Sequence, residues 1–162
     1  MRDLTSDLGA SLDVFGKEET LAKDVVIIGG GETGCDTAMH LAEKGHNVTV
    51  LEQAKVLAPT AQRVHFDTMY NEAWEKHKNC KAILEARCNG ITEDGATYID
   101  ADGKQQFVKA GTVILAVGVK PSADLTYQYR DASNELYAVG DCEKPWDLQS
   151  TIRSAFGAAS TV

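Results

Sequence analysis

The sequence predicts an α/β fold, with a central parallel sheet joined to a three-stranded antiparallel β-meander. Three observations predict it. Two short apolar runs, Val25–Ile28 and Asn47–Leu51, flank a segment of helical periodicity, the pattern of a strand–helix–strand unit. A cluster of glycines separates the first run from the helix. Further on, Asp94-Gly95 and Asp102-Gly103 mark two hairpin turns.

Each element follows in order. Residues 1–22 are weakly patterned, with Gly9 and Gly16 interrupting any helix, and read as a lead-in segment. Val25–Ile28 is uniformly apolar, as a strand buried on both faces must be. The helix spans about 32–44, its apolar stripe being Cys35, Ala38, Met39 and Ala42, and Gly45 ends it where a left-handed residue is wanted. Asn47–Leu51 is the second strand and closes on Glu52. A second helix is expected from Thr60 as N-cap to about His77, with Phe66, Met69, Tyr70, Ala73 and Trp74 facing the core. The two Asp-Gly turns divide the next stretch into strands at about 82–92, 96–100 and 104–109. Thr112–Val117 is another buried strand, 121–134 a loop, Leu136–Val139 a last short strand, and the chain from Leu148 a helix.

Composition narrows the function. The chain has 162 residues, enough for one ordinary domain with a hydrophobic core, or one domain and an appendage. Apolar residues make up 43% and charged residues 25%, so the chain is expected to fold rather than remain disordered. The net charge is -8 with no basic cluster, which argues against a nucleic-acid partner, because phosphate neutralisation needs Lys and Arg. There is no apolar run of membrane-spanning length and no apolar core of a signal peptide, so no membrane partner and a cytoplasmic location are expected. Cys35, Cys80, Cys88 and Cys142 form no C-x-x-C pair and have no histidine at metal-finger spacing, so reduced, mostly buried thiols and no metal site are expected. None of the four histidines has a partner at a spacing that suggests acid–base work, and no catalytic residue is assigned.

The glycines carry the chemistry. Gly29, Gly30, Gly31, Glu32, Thr33 and Gly34 match G-x-G-x-x-G between a buried strand and an amphipathic helix, with an acid closing the next strand. Gly29 permits the tight turn, Gly31 lets a pyrophosphate reach the backbone, and Gly34 lets the helix lie close to the sheet. The helix N-terminus offers N–H groups and partial positive charge to that pyrophosphate. The parallel sheet is therefore Rossmann-like and the expected cofactor is a dinucleotide. Glu52, 18 positions after Gly34, is placed to accept both adenosine ribose hydroxyls and to repel a 2′-phosphate, and Gln53 beside it supplies no positive charge. NAD(H) is expected over NADP(H), with Lys55 the one nearby cation. S-adenosylmethionine domains share a glycine-rich first turn and an acid after the second strand, but a meander replaces the helical crossover their sheet requires.

Three segments, VVIIGGGETGCDTAMHLAEKGHNVTVLEQ, GTVILAVGVKPSADL and LYAVGDCEKPW, occur here in that order. In this the chain resembles flavin-dependent pyridine nucleotide oxidoreductases of the disulfide-oxidoreductase type. Within them it resembles the C-terminal part of NADH:flavin oxidoreductases related to 2,4-dienoyl-CoA reductase and 2-enoate reductase. The resemblance implies a parent enzyme with an FMN-bearing barrel, a four-iron (4Fe-4S) cluster, and an FAD domain into which an NAD(H) domain is inserted. It implies that NADH reduces FAD and that electrons end on an activated alkene. It places Gly118 in a second glycine motif at the return from NAD(H) domain to FAD domain, and Asp141 in an FAD motif beside the flavin ribityl chain. Val119-Lys120-Pro121 departs from the Arg-before-Pro of many relatives. The chain carries one glycine fingerprint, no cysteine cluster and no barrel, so it resembles an NAD(H)-binding domain at 23–125 followed by a C-terminal piece of an FAD-binding domain at 126–162. NADH and the remainder of the parent flavoenzyme are the implied partners. A stand-alone NAD(H)-sensing domain and a non-catalytic interaction domain are the competing readings.

Overall fold

The computed structural model describes residues 14–121 and 123–161. The chain divides into two compact units, one extending to Val117 and the other beginning at Gly118. In chain order the first unit contains β1 (Asp24–Ile28), α1 (Glu32–Glu43), β2 (Asn47–Leu51), α2 (Arg63–Lys76), β3 (Cys80–Ile83), β4 (Arg87–Thr92), β5 (Gly95–Ile99), β6 (Gln105–Lys109) and β7 (Thr112–Leu115). The second contains α3 (Ala123–Tyr127) and α4 (Leu148–Ala159).

The fold class is the expected one. A parallel sheet runs in the order β3-β2-β1-β7, and β4-β5-β6 form an antiparallel meander. Strand β1 is central: Ile27 is level with Val50 on one side and Ile114 on the other. Alternate residues of β1 enter different cores, which is why the whole run is apolar. Val25 and Ile27 pack with Val48, Val50 and Ile114 against Ala38, Leu41 and Ala42 of α1. Val26, Ile28 and Leu51 pack with Ala86, Ala96, Tyr98 and Ala110 from the meander and its flanks.

Helix α1 ends as expected. Gly45 has φ 92°, its N–H donates to the Ala42 carbonyl, and the His46 N–H donates to the Leu41 carbonyl. That pair of bonds satisfies carbonyls the helix leaves open. The stripe differs in one member: Leu41 is fully buried where Met39 is only half-buried.

Four boundaries differ from expectation. Helix α2 begins at Arg63 with Gln62, not Thr60, as its cap, because residues 57–61 first turn back toward the glycine loop, with Ala58 N–H donating to Gly30 O. Within it Phe66 is buried, while Tyr70 and Trp74 are half-buried at the core edge; Tyr70 Oη donates to Asp36 and its ring stacks on Phe66. The expected strand 82–92 is two strands, β3 in the parallel sheet and β4 in the meander. They are parted at Glu85 (φ 53°), whose N–H donates to Ala54 O, while Ala86 N–H donates to Glu52 O. Residues 121–134 include the short α3, and Leu136–Val139 is extended chain rather than a strand, having no ladder partner among the described residues. Helix α4 starts at the expected place, with the Asp147 carboxylate accepting from Ser150 N–H. No helix among the described residues is long and apolar enough to cross a membrane.

Residues 1–13 of the lead-in segment lie outside the described residues. Its remainder is tied to α1: Val14 is buried in the core, the Phe15 ring lies 4.6 Å from that of His40, and Glu18 Oε1 is 2.5 Å from His40 Nε2. The hydrogen bond from His40, helped by backbone N–H groups, holds the Glu18 carboxyl at about 2 against an ordinary 4.5. A depressed carboxyl contributes stability in full above its unfolded value and loses it as pH falls toward the folded one. The difference in urea midpoint between the wild type and Glu18→Gln is therefore expected to shrink steadily as pH falls from about 4.5 toward 2. Ile27→Ala, at a fully buried position, is expected to cost about 3 kcal/mol in urea unfolding, whereas Val64→Ala, at an 80% exposed one, should stay within about 0.5 kcal/mol.

Candidate functional site

The strand order reverses at β1, which has β2 on one side and β7, from much later in the chain, on the other. Open α/β sheets hold their ligands outside the carboxyl ends of the strands at such a point. The glycine loop leaves β1 there.

The three motif glycines are not equivalent. Gly29 has φ 103°, its N–H donates to Leu51 O at 2.9 Å, and a Cβ added to it would overlap the Ala116 carbonyl oxygen. A Cβ at Gly34 would overlap the Gly29 carbonyl oxygen. These two glycines let β1, α1 and the end of β7 close on one another. Gly31 has an ordinary φ of -67° and would meet no atom within 4 Å if it carried a Cβ. Packing does not require glycine at 31. The space beside this position is open.

Gly31 is also the N-cap of α1, and no side chain caps that helix. The first helical bond is Cys35 N–H to Gly31 O, 2.9 Å. The N–H groups ahead of it, from Glu32, Thr33 and Gly34, open the helix at its positive end. The side chains of Glu32 and Thr33 are exposed, so these residues contribute backbone donors.

Gly30 serves a different purpose. Its N–H donates to Glu52 Oε2 at 2.6 Å, and its carbonyl accepts from Ala58 N–H at 2.7 Å and from the Cys35 thiol at 3.4 Å. A Cβ here would lie 2.7 Å from Leu57 Cδ2 and 2.9 Å from Glu52 Cβ. Gly30, between the first two motif glycines, thus admits the neighbours that hold the loop.

Glu52 is no solvated strand-end acid. It is 7% exposed, with Oε2 on Gly30 N–H and Oε1 on Ala54 N–H at 2.6 Å. A carboxylate has about four acceptor positions, so roughly two remain, one on each oxygen. Gln53 follows it and is exposed. Lys55 points elsewhere, 84% exposed and 3.8 Å from Glu85.

Gly29 to Gly34 and Glu52 therefore converge, with Gln53 alongside. Gly118 and Asp141 lie in the second unit. Gly118 has φ 85° and open space at its Cα. Asp141 is exposed in a 3-10 turn, Gly140–Cys142, which is fixed by Gly140 N–H donating to Ser154 Oγ at 3.0 Å and by Thr151 packed against Gly140. Sequence reasoning missed Leu57, Ala58 and Arg63, which brace the loop from the following turn; nothing in their spacing marks them.

The cysteines are inert where they are buried. Cys35 sits at the start of α1, where a helix N-terminus can activate a thiol, but desolvation pushes it up to about 12, with Asp36 adding to the effect. Burial takes Cys80 to about 12 as well. Cys88 is half-buried and Cys142 exposed, so two of the four thiols are buried.

Sheet order, glycine loop and meander together define a Rossmann-like nucleotide-binding class of fold. The pyridine nucleotide-disulphide oxidoreductase family model matches residues 3–160, and the chain belongs to that family. It is 31% identical over 153 residues to an NADH oxidase of Thermoanaerobacter brockii, covering 91% of this chain and 23% of that protein. It is 29% identical over 150 residues to a bilirubin reductase of Mediterraneibacter gnavus, covering 92% and 23%. Among solved structures, 2-naphthoyl-CoA reductase in complex with 2-naphthoyl-CoA superposes with a TM-score of 0.80 at 27% identity, over 93% of this chain and 23% of that one. The chain thus spans about a quarter of the length of the relatives it matches.

The glycine geometry separates stability from the open position. Gly29→Ala and Gly34→Ala are each expected to cost about 1–3 kcal/mol in urea unfolding, and Gly31→Ala less than about 0.5 kcal/mol. In the native chain at about pH 8, a thiol-specific chromogenic reagent should modify Cys142 rapidly and leave Cys35 and Cys80 untouched until denaturant is added.

Proposed function

We propose that the chain is the NAD(H)-binding domain of a flavin-dependent oxidoreductase, docking NADH so that its hydride reaches FAD in the intact enzyme. One observation carries the reading: an unobstructed backbone at Gly31, at the uncapped start of α1, with a buried carboxylate fixed beside the loop. The residues fit the cofactor. Backbone N–H groups from Gly31 to Gly34 would take the pyrophosphate, and the free acceptor positions of Glu52 the adenosine ribose hydroxyls, with Gln53 at the rim. When bound, the nicotinamide supplies hydride and the flavin accepts it, which asks the protein for alignment rather than an acid or base. A 2′-phosphate would bring negative charge against a buried carboxylate, and Lys55 is turned toward Glu85. NADH is therefore the preferred form.

The C-terminal part extends the proposal. Residues 23–125 are read as the NAD(H) domain and 126–162 as a piece of the FAD domain, with 1–22 leading in. On the resemblance of their motifs, Gly118 is assigned to the return from the NAD(H) domain to the FAD domain and Asp141 to the flavin site. Leu148, Ile152 and Phe156 lie along one face of α4 at 74%, 60% and 74% exposure, which supports a neighbour that covers them and favours a multidomain parent over a stand-alone sensor. The parent is proposed to reduce enoate- or dienoyl-type alkenes with FMN and a 4Fe-4S cluster held outside this chain. Support comes from the order of the three motifs, from a cinnamate reductase of Clostridium sporogenes that is 24% identical, and from the 2-naphthoyl-CoA reductase likeness.

Calorimetric titration of the full chain is expected to show NADH binding with submillimolar Kd and NADPH binding at least about tenfold more weakly. Gly31→Ala, with its unfolding midpoint unchanged, should weaken NADH about tenfold or more. A folded chain that ignores NADH at millimolar concentration refutes the proposal.

A further inference from the structure

Arg63 opens α2 and reaches back across the turn before it. Its Nη2 donates to the carbonyls of Leu57 at 3.0 Å and Ala58 at 2.8 Å. The guanidinium lies over the Phe66 ring, 4.7 Å from the centroid, and Nη1 is 3.6 Å from Asp67 Oδ1. A planar group that stacks on an aromatic face while one of its nitrogens donates to two successive carbonyls is a task for arginine rather than lysine.

The turn it holds is strained. Ala58 is fully buried and, though not glycine, has φ 42°. From that conformation its N–H reaches Gly30 O at 2.7 Å, and its carbonyl takes a second bond from Ala61 N–H at 3.0 Å. Leu57 Cδ2 and Glu52 Cβ each lie within 3 Å of the place a Cβ on Gly30 would occupy. Arg63 Nε is buried with no hydrogen-bond partner. A left-handed alanine and an unpaired buried donor both cost stability, and they occur within one turn. Such clustered costs are expected where geometry serves a site rather than the fold.

We propose that Arg63 is a positioning residue of the nucleotide site. It clamps the Leu57–Ala58 turn onto the glycine loop, so that the wall beside Glu52 is set before a dinucleotide arrives. The inference rests on the nucleotide-binding reading given above. It adds a residue outside the glycine motif whose effect on binding passes entirely through Leu57, Ala58 and Gly30.

The test measures NADH affinity of the full chain at about 10 °C, where every variant compared is folded by circular dichroism. Arg63→Met keeps the apolar stem over Phe66 and removes the guanidinium; it is expected to raise the Kd for NADH about tenfold. Arg63→Lys should raise it by a smaller factor. Adding Ala58→Gly to Arg63→Met should restore part of the lost affinity, because glycine takes the left-handed conformation without strain. A purely structural arginine would lower the unfolding temperature and leave Kd unchanged, and that result overturns the inference. Should Arg63→Met fail to fold, Arg63→Lys decides: a Kd equal to wild type overturns the inference and a raised one supports it. Failure of the wild type to bind NADH sinks the nucleotide reading and this inference together, whereas wild-type binding with an unmoved Arg63→Met Kd sinks this inference alone.

Discussion

The rest of the structure depends on the contact between the start of α1 and the loop that precedes it. At Gly34 the helix lies against the Gly29 carbonyl so closely that no side chain fits between them, and Gly29 in turn lies against Ala116 at the end of β7. That three-way approach lets α1 sit flat on the sheet, where Ala38, Leu41 and Ala42 fill the space above Val25, Ile27 and Val50. A helix held a few ångströms further off would leave that core with voids that small side chains cannot close. The same approach aims the open end of α1 past the carboxyl end of β1. Core packing and the orientation of the helix N-terminus are therefore one constraint, met by two glycines, and the remaining motif glycines are released for other tasks.

Glu52 shows how those tasks divide. A carboxylate 7% exposed needs hydrogen-bond donors, and it finds two backbone N–H groups at 2.6 Å, one on each oxygen. One of them belongs to Gly30, so the acid fixes the loop whose ligand it is proposed to share. A loop already held by Glu52, by the Ala58 amide and by Arg63 has little ordering left to undergo when a ligand arrives, and preorganisation of that kind raises affinity without a new contact.

Much of this was legible in the sequence because the relevant signals are local. Val25–Ile28 and Asn47–Leu51 read as buried strands since all their residues but Asn47 are buried and their apolar ones enter one of two cores, and Gly45 read as a helix end since only a left-handed residue lets His46 N–H reach Leu41 O. The tight turn at Gly29 and the close approach of the helix at Gly34 followed from the strand–turn–helix context. What escaped was set by contacts distant in sequence. Thr60 is a good cap by composition, but the turn that ties Ala58 to Gly30 delays the helix to Arg63. The run 82–92 looked continuous because Glu85, where the chain leaves one sheet for the other, is not a residue type that signals a left-handed turn. Glu52 read as a strand-tip acid, and only the folded loop shows that two amides bury it. Leu136–Val139 has the residues of a strand but no neighbour to pair with among the described residues, and pairing is what makes a strand.

That last failure bears on the second unit as a whole. Among the described residues from Gly118 onward, only Gly140 is buried. Ordering a residue costs on the order of 1–2 kcal/mol of backbone entropy, and a segment that buries one glycine has almost no apolar burial to offset it. Yet its sequence is not that of a disordered tail: α4 is capped by Asp147, Gly140 is fitted against Thr151, and Leu148, Ile152, Phe156, Trp146 and Tyr137 supply large apolar side chains. Local signals for structure occur here without a local core, and the large apolar side chains of this unit stay exposed. The first unit has two cores on its sheet, whereas the described residues of the second form none. The two units thus differ in how much apolar surface each one buries, and the multidomain parent proposed above draws on that difference as well as on the motifs.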